Sequence, residues 1–237
     1  MDPVIVQIRE ELKHLADPGI RKTSQRFFKD AIKCYGMKTA TVTVIARKHW
    51  KEVKGRPKAE IFGLCEELYR SSYLEESFIV SEWSHALSGQ YEDADLAVFR
   101  HWVDTYITNW ASCDGFCNHT MGNFMEQYPE YIDELKIWTQ SQNRWMRRAA
   151  AVSLVVPAKH GKFLKESLEI AELLLTDDDD MVQKGYGWLL KEASRTHKDA
   201  VFSFVMENRR FMPRTALRYS IELMPEDLRA AAIKRDW

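Results

Sequence analysis

The stretch NWASCDGFC, residues 109–117, sets a large aromatic side chain and an acid one helical turn apart. In a chain that reads as helical there, Trp110 and Asp114 share one face, because side chains four apart are neighbours on a helix. A carboxylate among Trp, Ala, Cys and Phe needs either a partner or a chemical task. The same stretch offers a second chemistry: Cys113-x3-Cys117-x-His119 carries metal-ligand types, yet a fourth ligand at the spacing of a closed tetrahedral zinc site is missing. Elsewhere the histidines form no HExxH-like pair and no glycine-rich phosphate loop occurs. The acidic run TDDDD (176–180) suits a helix N-terminus, where the dipole favours negative charge, better than a metal. Neither a metal nor a cofactor is expected.

Helices must position these residues. Apolar residues recur with helical period, the ten glycines and seven prolines fall mainly at boundaries, and alternating strand patterns are hard to find, so the expected fold is all-α. Helices are predicted over 3–16, 20–35, 39–53, 58–71, 75–88, 93–107, 109–127, 129–141, 143–156, 161–175, 179–196, 198–208 and 213–222. Two of them repeat. NRWMRRAAAVSLVV (143–156) and DMVQKGYGWLLKEA (180–193) each open on a capping residue, Asn143 and Asp180, 37 positions apart. Each continues with an apolar residue, a polar or basic pair, small residues and an apolar run, and another helix, 161–175, lies between them. That is the second-helix pattern of HEAT-like repeats. One repeat domain over 1–237 is expected, a solenoid whose inner helices line a concave groove. Trp110 and Asp114, Arg147 and Arg148, and Lys184 and Trp188 would lie on that lining.

With 45% hydrophobic and 29% charged residues, the chain is too rich in large apolar side chains to be disordered. Lys plus Arg number 34 against 35 Asp plus Glu, a net charge of −1, which excludes a strongly basic total but not one basic face. The segment RKHWKEVKGRPK (47–58), with Trp50 among its charges, reads either as a DNA-facing edge or as a solvated loop. Four unevenly spaced cysteines suggest reduced thiols and no disulfide framework. The opening MDPVIVQIREELKHLAD is amphipathic and charged, unlike a secretory signal, and no stretch is apolar enough to cross a bilayer. A soluble cytoplasmic monomer without a membrane partner is expected.

Four segments together, RFFKDAIKCYGMKT (26–39), NWASCDGFCNHTMG (109–122), NRWMRRAAA (143–151) and VQKGYGWLLKEASR (182–195), resemble the AlkD-like DNA glycosylases of bacterial alkylation repair. The resemblance spans most of the chain and implies a HEAT-like repeat fold. It implies two tryptophans and an aspartate around the damaged nucleotide with an arginine on the DNA, which by motif are Trp110, Trp188, Asp114 and Arg148. Arg147, Lys184 and Phe27 would join the DNA-binding surface. Three departures bear on DNA affinity and lesion preference: Phe27 stands where the family's enzyme prototype has Tyr, Asp180 and Met181 replace an aromatic pair, and Val156 replaces a lysine.

The implied activity is hydrolysis of the N-glycosidic bond of cationic N3- or N7-alkylated purines in double-stranded DNA, by a nucleoid-associated enzyme. A purine alkylated there leaves as a neutral base and needs no general acid. A fixed carboxylate then stabilises the positive charge that develops on the sugar, and tryptophan faces attract it. No lysine is assigned as a Schiff-base nucleophile, so strand cleavage is not implied. The family also holds paralogues that bind DNA without excising bases, and a catalytically inactive binder of damaged or branched DNA is the alternative. Read singly, Asp114 could instead be a helix cap or a buried partner of Arg148, Trp110 and Trp188 core residues, and Arg147 and Arg148 a solvated helix face.

Overall fold

The computed structural model describes residues 1–234; the last three residues of the expected 1–237 domain lie outside them. Every regular element among the described residues is helical, with one isolated parallel bridge between Lys33 and Tyr73. The chain divides into two compact units, Met1–Phe116 and Cys117 onward. No described helix is long and apolar enough to cross a membrane.

The first unit contains α1 (Pro3–His14), α2 (Pro18–Gln25), α3 (Thr39–Val53), α4 (Lys58–Tyr69), α5 (Leu74–Ala86), α6 (Asp95–Tyr106) and α7 (Trp110–Phe116). Helices α1 and α2 open on the same device, an aspartate cap followed by proline. Asp2 accepts from Val4 N–H and Asp17 from Gly19 and Ile20 N–H, while each proline occupies a position whose N–H would be unpaired anyway. Helix α5 packs against α3, α4 and α7. Its Trp83 is 1% exposed and donates its indole N–H to the Ala46 carbonyl at 2.9 Å, tying α5 to α3. Phe62, Phe99, Trp102 and Phe116 meet edge to face or tilted, with centroids 5.3–5.9 Å apart, in the arrangement that aromatic quadrupoles favour.

Buried acids fix the N-terminal part of this unit. Glu75 accepts backbone N–H bonds from Tyr35, Gly36 and Met37. Glu76, fully buried, takes the Arg9 guanidinium and the Tyr35 hydroxyl. These bonds explain where the helix expected over 20–35 stops. It ends at Gln25, whose amide donates to the Asp30 carbonyl and whose oxygen accepts from Ile32 N–H, so the chain leaves the helix through a turn at 26–27 and a bend at 29–30 and continues without helix to Gly36. Gly36 has φ +94°, and a Cβ there would lie 2.3 Å from the Asp17 carbonyl oxygen. Only glycine fits that approach.

The second unit opens with a π-helical segment, Cys117–Met121, and continues through α8 (Gly122–Gln127), α9 (Ile132–Trp138), α10 (Arg144–Val152), α11 (Val155–Lys159), α12 (Leu164–Leu173), α13 (Asp180–Ala193), α14 (Lys198–Asn208), α15 (Arg214–Ser220) and α16 (Glu226–Ile233). Successive second helices stack: α10 on α13, and α13 on α15, while the first helices α9 and α12 also pack together. This is a helical-repeat arrangement. Small residues allow it: a Cβ on Gly187 would come 2.7 Å from the Tyr219 Cβ and 3.0 Å from the Ala216 carbonyl oxygen, so α13 and α15 touch closely only because position 187 is glycine.

Several boundaries differ from the expectation. The 109–127 helix changes to the wider π pitch at Cys117, and the 143–156 helix breaks after Val152, with Pro157 falling inside the short α11 instead of marking an end. Asn143 caps α10 as expected, but Asp179 rather than Asp180 caps α13, accepting from Met181 and Val182 N–H. Helix α16, opened by Pro225 and two acids, had not been predicted. All four cysteines are free thiols buried in the cores. Within the 47–58 segment, Arg47, Lys48, Arg56 and Lys58 pair with Glu82, Glu11, Asp2 and Asp95, so these cations serve contacts inside the first unit.

Candidate functional site

Helix α7 turns Ser112, Cys113 and Phe116 into the core, with Phe116 seated among Phe99, Trp102 and Tyr69. The opposite positions, Trp110 and Asp114, are therefore left half-buried at the surface of the first unit. Asn109 caps the helix, its side-chain oxygen accepting from Ser112 N–H at 2.9 Å, which fixes the backbone where Trp110 begins. Gly115 lets α7 lie against α5: a Cβ there would be 3.3 Å from the Ser81 hydroxyl.

The Trp110 indole is held from two sides. Its N–H donates to the Phe27 carbonyl at 3.2 Å, and its ring stacks on Phe28 with centroids 5.2 Å apart and planes 19° from parallel. Both partners come from the non-helical segment after α2. Phe28 was not singled out in the sequence, since only the end of the 20–35 helix at Gln25 brings it to Trp110. Phe27 contributes its backbone to the tryptophan and turns its ring to solvent, 70% exposed. Asp114 follows one turn further along α7, on the same helix face as the fixed indole.

The remaining predicted residues belong to the second unit and gather on α10 and α13. Arg148 is only 5% exposed and donates to the Met181 carbonyl in the first turn of α13. Its side chain crosses Gly185, where a Cβ would lie 3.2 Å from the Arg148 Cγ. Met181, Lys184, Gly185 and Trp188 share one face of α13 by helical spacing, so Arg148 lies along the face that carries Trp188. Trp188 is half-buried, and Lys184 reaches back to Asp180 at 3.3 Å.

Arg147 points elsewhere. Its Nε meets the Asp177 carboxylate at 2.6 Å, and its Nη1 donates to the carbonyls of Ser141 and Gln142 at 3.0 and 3.3 Å. Asp177 also accepts from Asp179 N–H, and Arg144 lies 3.4 Å from the Asp179 carboxylate. The acidic run thus serves as the hinge between α12 and α13, clipped by two arginines of α10. Among the described residues no group of three or more His, Cys, Asp or Glu could hold a metal ion.

The first unit presents an immobilised indole with a carboxylate on the same helix face, and the second a half-buried tryptophan on the face along which the buried Arg148 lies. Comparison with known proteins bears on its use. Residues 8–224 match the family described as DNA alkylation repair enzyme. The fold is similar to that of a predicted DNA alkylation repair enzyme from Enterococcus faecalis, with a TM-score of 0.80 and 16% sequence identity over 89% of this chain and 97% of that one. No protein of curated function matches. With a match that runs through α2 to α15 and includes both groups of candidate residues, this chain belongs to the DNA alkylation repair enzyme family.

Proposed function

We propose that the protein is a monofunctional DNA glycosylase that hydrolyses the N-glycosidic bond of cationic N3- or N7-alkylated purines in duplex DNA. The observation that carries this reading is Trp110 immobilised by Phe27 and Phe28 one helical turn from Asp114, in a member of an alkylation-repair family. The C1′–N bond breaks with both electrons going to the purine, which departs neutral. Positive charge grows on the sugar, and the Asp114 carboxylate stabilises it by fixed electrostatics. Water adds at C1′ and gives up a proton, leaving an abasic site. The faces of Trp110 and Trp188 are the aromatic groups assigned to attract that charge, a contact of this kind contributing ~0.5–2 kcal/mol.

Lys184 contacts the DNA backbone, which sets register without reading sequence, and Arg148, 5% exposed and bonded to the Met181 carbonyl, adds positive charge from beneath the same helix face. Phe27 makes an apolar contact with the DNA through its exposed ring. For Arg147 we assign a positioning role, because its guanidinium is already bound to Asp177 and two carbonyls.

The test is release of 7-methylguanine or 3-methyladenine from methylated duplex, followed by chromatography of the freed base. The wild type is expected to exceed the spontaneous rate, and Asp114→Asn to lose about 10²–10³-fold, as when one preorganised group is removed. Equal rates for both proteins remove Asp114 from the chemistry. No release by the wild type leaves the non-catalytic DNA binder as the better reading.

A further inference from the structure

Helix α2 is eight residues long and buries none of its side chains. Isolated helices shorter than ~12 residues are marginal in water, and most gain their stability from a packed face. This one is held through its backbone instead. Asp17 caps its first turn, Gly36 presses against the Asp17 carbonyl and the Arg21 backbone, and Glu75 clamps residues 35–37 from α5. Beyond its end, the Gln25 side chain pins the chain at Asp30 and Ile32. The backbone is thereby ordered while Arg21, Lys22 and Thr23 remain exposed to water.

The exposed charges of α2 and the segment after it are mostly basic. Between residues 18 and 38 the cations are Arg21, Lys22, Arg26, Lys29, Lys33 and Lys38, and the one acid is Asp30, in a chain whose net charge is −1. Asp17, just outside, has its carboxylate engaged by the Gly19 and Ile20 N–H groups. In the basic 47–58 segment Arg47, Lys48, Arg56 and Lys58 are paired, whereas among the described residues Arg21, Lys22 and Arg26 enter no ion pair. The surface continues directly into Phe27 and Phe28, which hold Trp110. Unpaired positive charge on a pre-ordered backbone loses little entropy when it meets an extended polyanion.

We propose that α2 is a grip for the DNA backbone, in which Arg21, Lys22 and Arg26 contact phosphates beside the lesion held at Trp110; this rests on the DNA reading given above. Lys22 and Arg26, four apart, lie on one face and suit neighbouring phosphates of one strand. The contact is independent of sequence and lesion, since phosphates carry no base identity.

The full-length protein, an Arg21→Gln/Lys22→Gln variant and a Lys13→Gln/Lys54→Gln variant of equal charge change would be titrated against a fluorescent duplex, with and without 7-methylguanine, across a salt series. For the Arg21/Lys22 variant we expect weaker binding to both duplexes alike, and a plot of log affinity against log salt about 1.8 shallower, ~0.9 for each lost phosphate contact. The Lys13/Lys54 variant should keep the wild-type slope. An unchanged slope in the first variant, or an equal loss in the second, overturns the grip. So does tighter wild-type binding to an RNA hairpin or an anionic vesicle than to the duplex. If the wild type binds no duplex even at low salt, the grip and the DNA reading fall together; if it binds and releases base with an unaltered slope in the variant, only the grip falls.

Discussion

Replacing Arg147 by alanine separates a structural from a DNA-contacting role for the conspicuous arginine pair of α10. The side chain is 17% exposed and its partner Asp177 only 9%, at an Nε–Oδ2 distance of 2.6 Å. Its Nη1 serves two carbonyls as well. Truncation leaves a nearly buried carboxylate without its cation. Breaking such a pair from one side typically costs ~3–5 kcal/mol, and the residual exposure of both groups places this one near ~3 kcal/mol. For a chain of this size that lowers Tm by roughly 6–12 °C, at ~2–4 °C per kcal/mol. Removing Asp177 too should recover part of the loss, because the double variant no longer strands a charge. Urea unfolding followed by circular dichroism, run as a double-mutant cycle, gives these quantities. The reasoning is refuted if Arg147→Ala unfolds within ~1 kcal/mol of wild type while the salt dependence of DNA binding becomes shallower by ~0.9, the signature of a lost phosphate contact.

Gly36→Ala should destabilise the first unit by about 3 kcal/mol, summing ~1–2 kcal/mol for a left-handed residue with a Cβ and ~1–3 kcal/mol for the clash with Asp17 and Arg21. A thermal melt within 2 °C of wild type would contradict the close approach. Stability should also report the Asp2–Arg56 pair, since the Arg56 hydrogen bond, against some desolvation, holds the Asp2 carboxyl below its ordinary value. A depressed folded-state pKa stabilises above the unfolded carboxylate value, about 3.9, and that contribution disappears as pH falls through the folded value. Arg56→Gln should therefore be less stable than wild type at pH 7, with the gap closing as pH falls below the ordinary carboxylate range; a gap that widens on acidification would reverse the assignment.

Helices with clear stops were legible from local residues: α3 at 39–53 and α14 at 198–208 fall where the sequence places them. The 20–35 segment was not, because its apolar residues have helical spacing while its conformation is dictated by Glu75 on α5, some 40 positions away. That distant partner also explains why Phe28 escaped notice beside Trp110. The pairing of Trp110 with Asp114 on one face followed from their spacing alone. Arg147 and Arg148, adjacent in sequence, point to different tasks, since neighbours on a helix are 100° apart and meet different surroundings. The acidic run reads as a helix start in both views, but its role as Arg147's partner depends on α10 lying against α13.

The four cysteines are between 0 and 3% exposed, and burial pushes the Cys34 and Cys65 thiols further from the reactive thiolate. Native protein therefore presents almost no background to a maleimide dye. One cysteine engineered at a solvent-facing position of either unit would take a fluorophore or spin label selectively, without a cysteine-free background first having to be made.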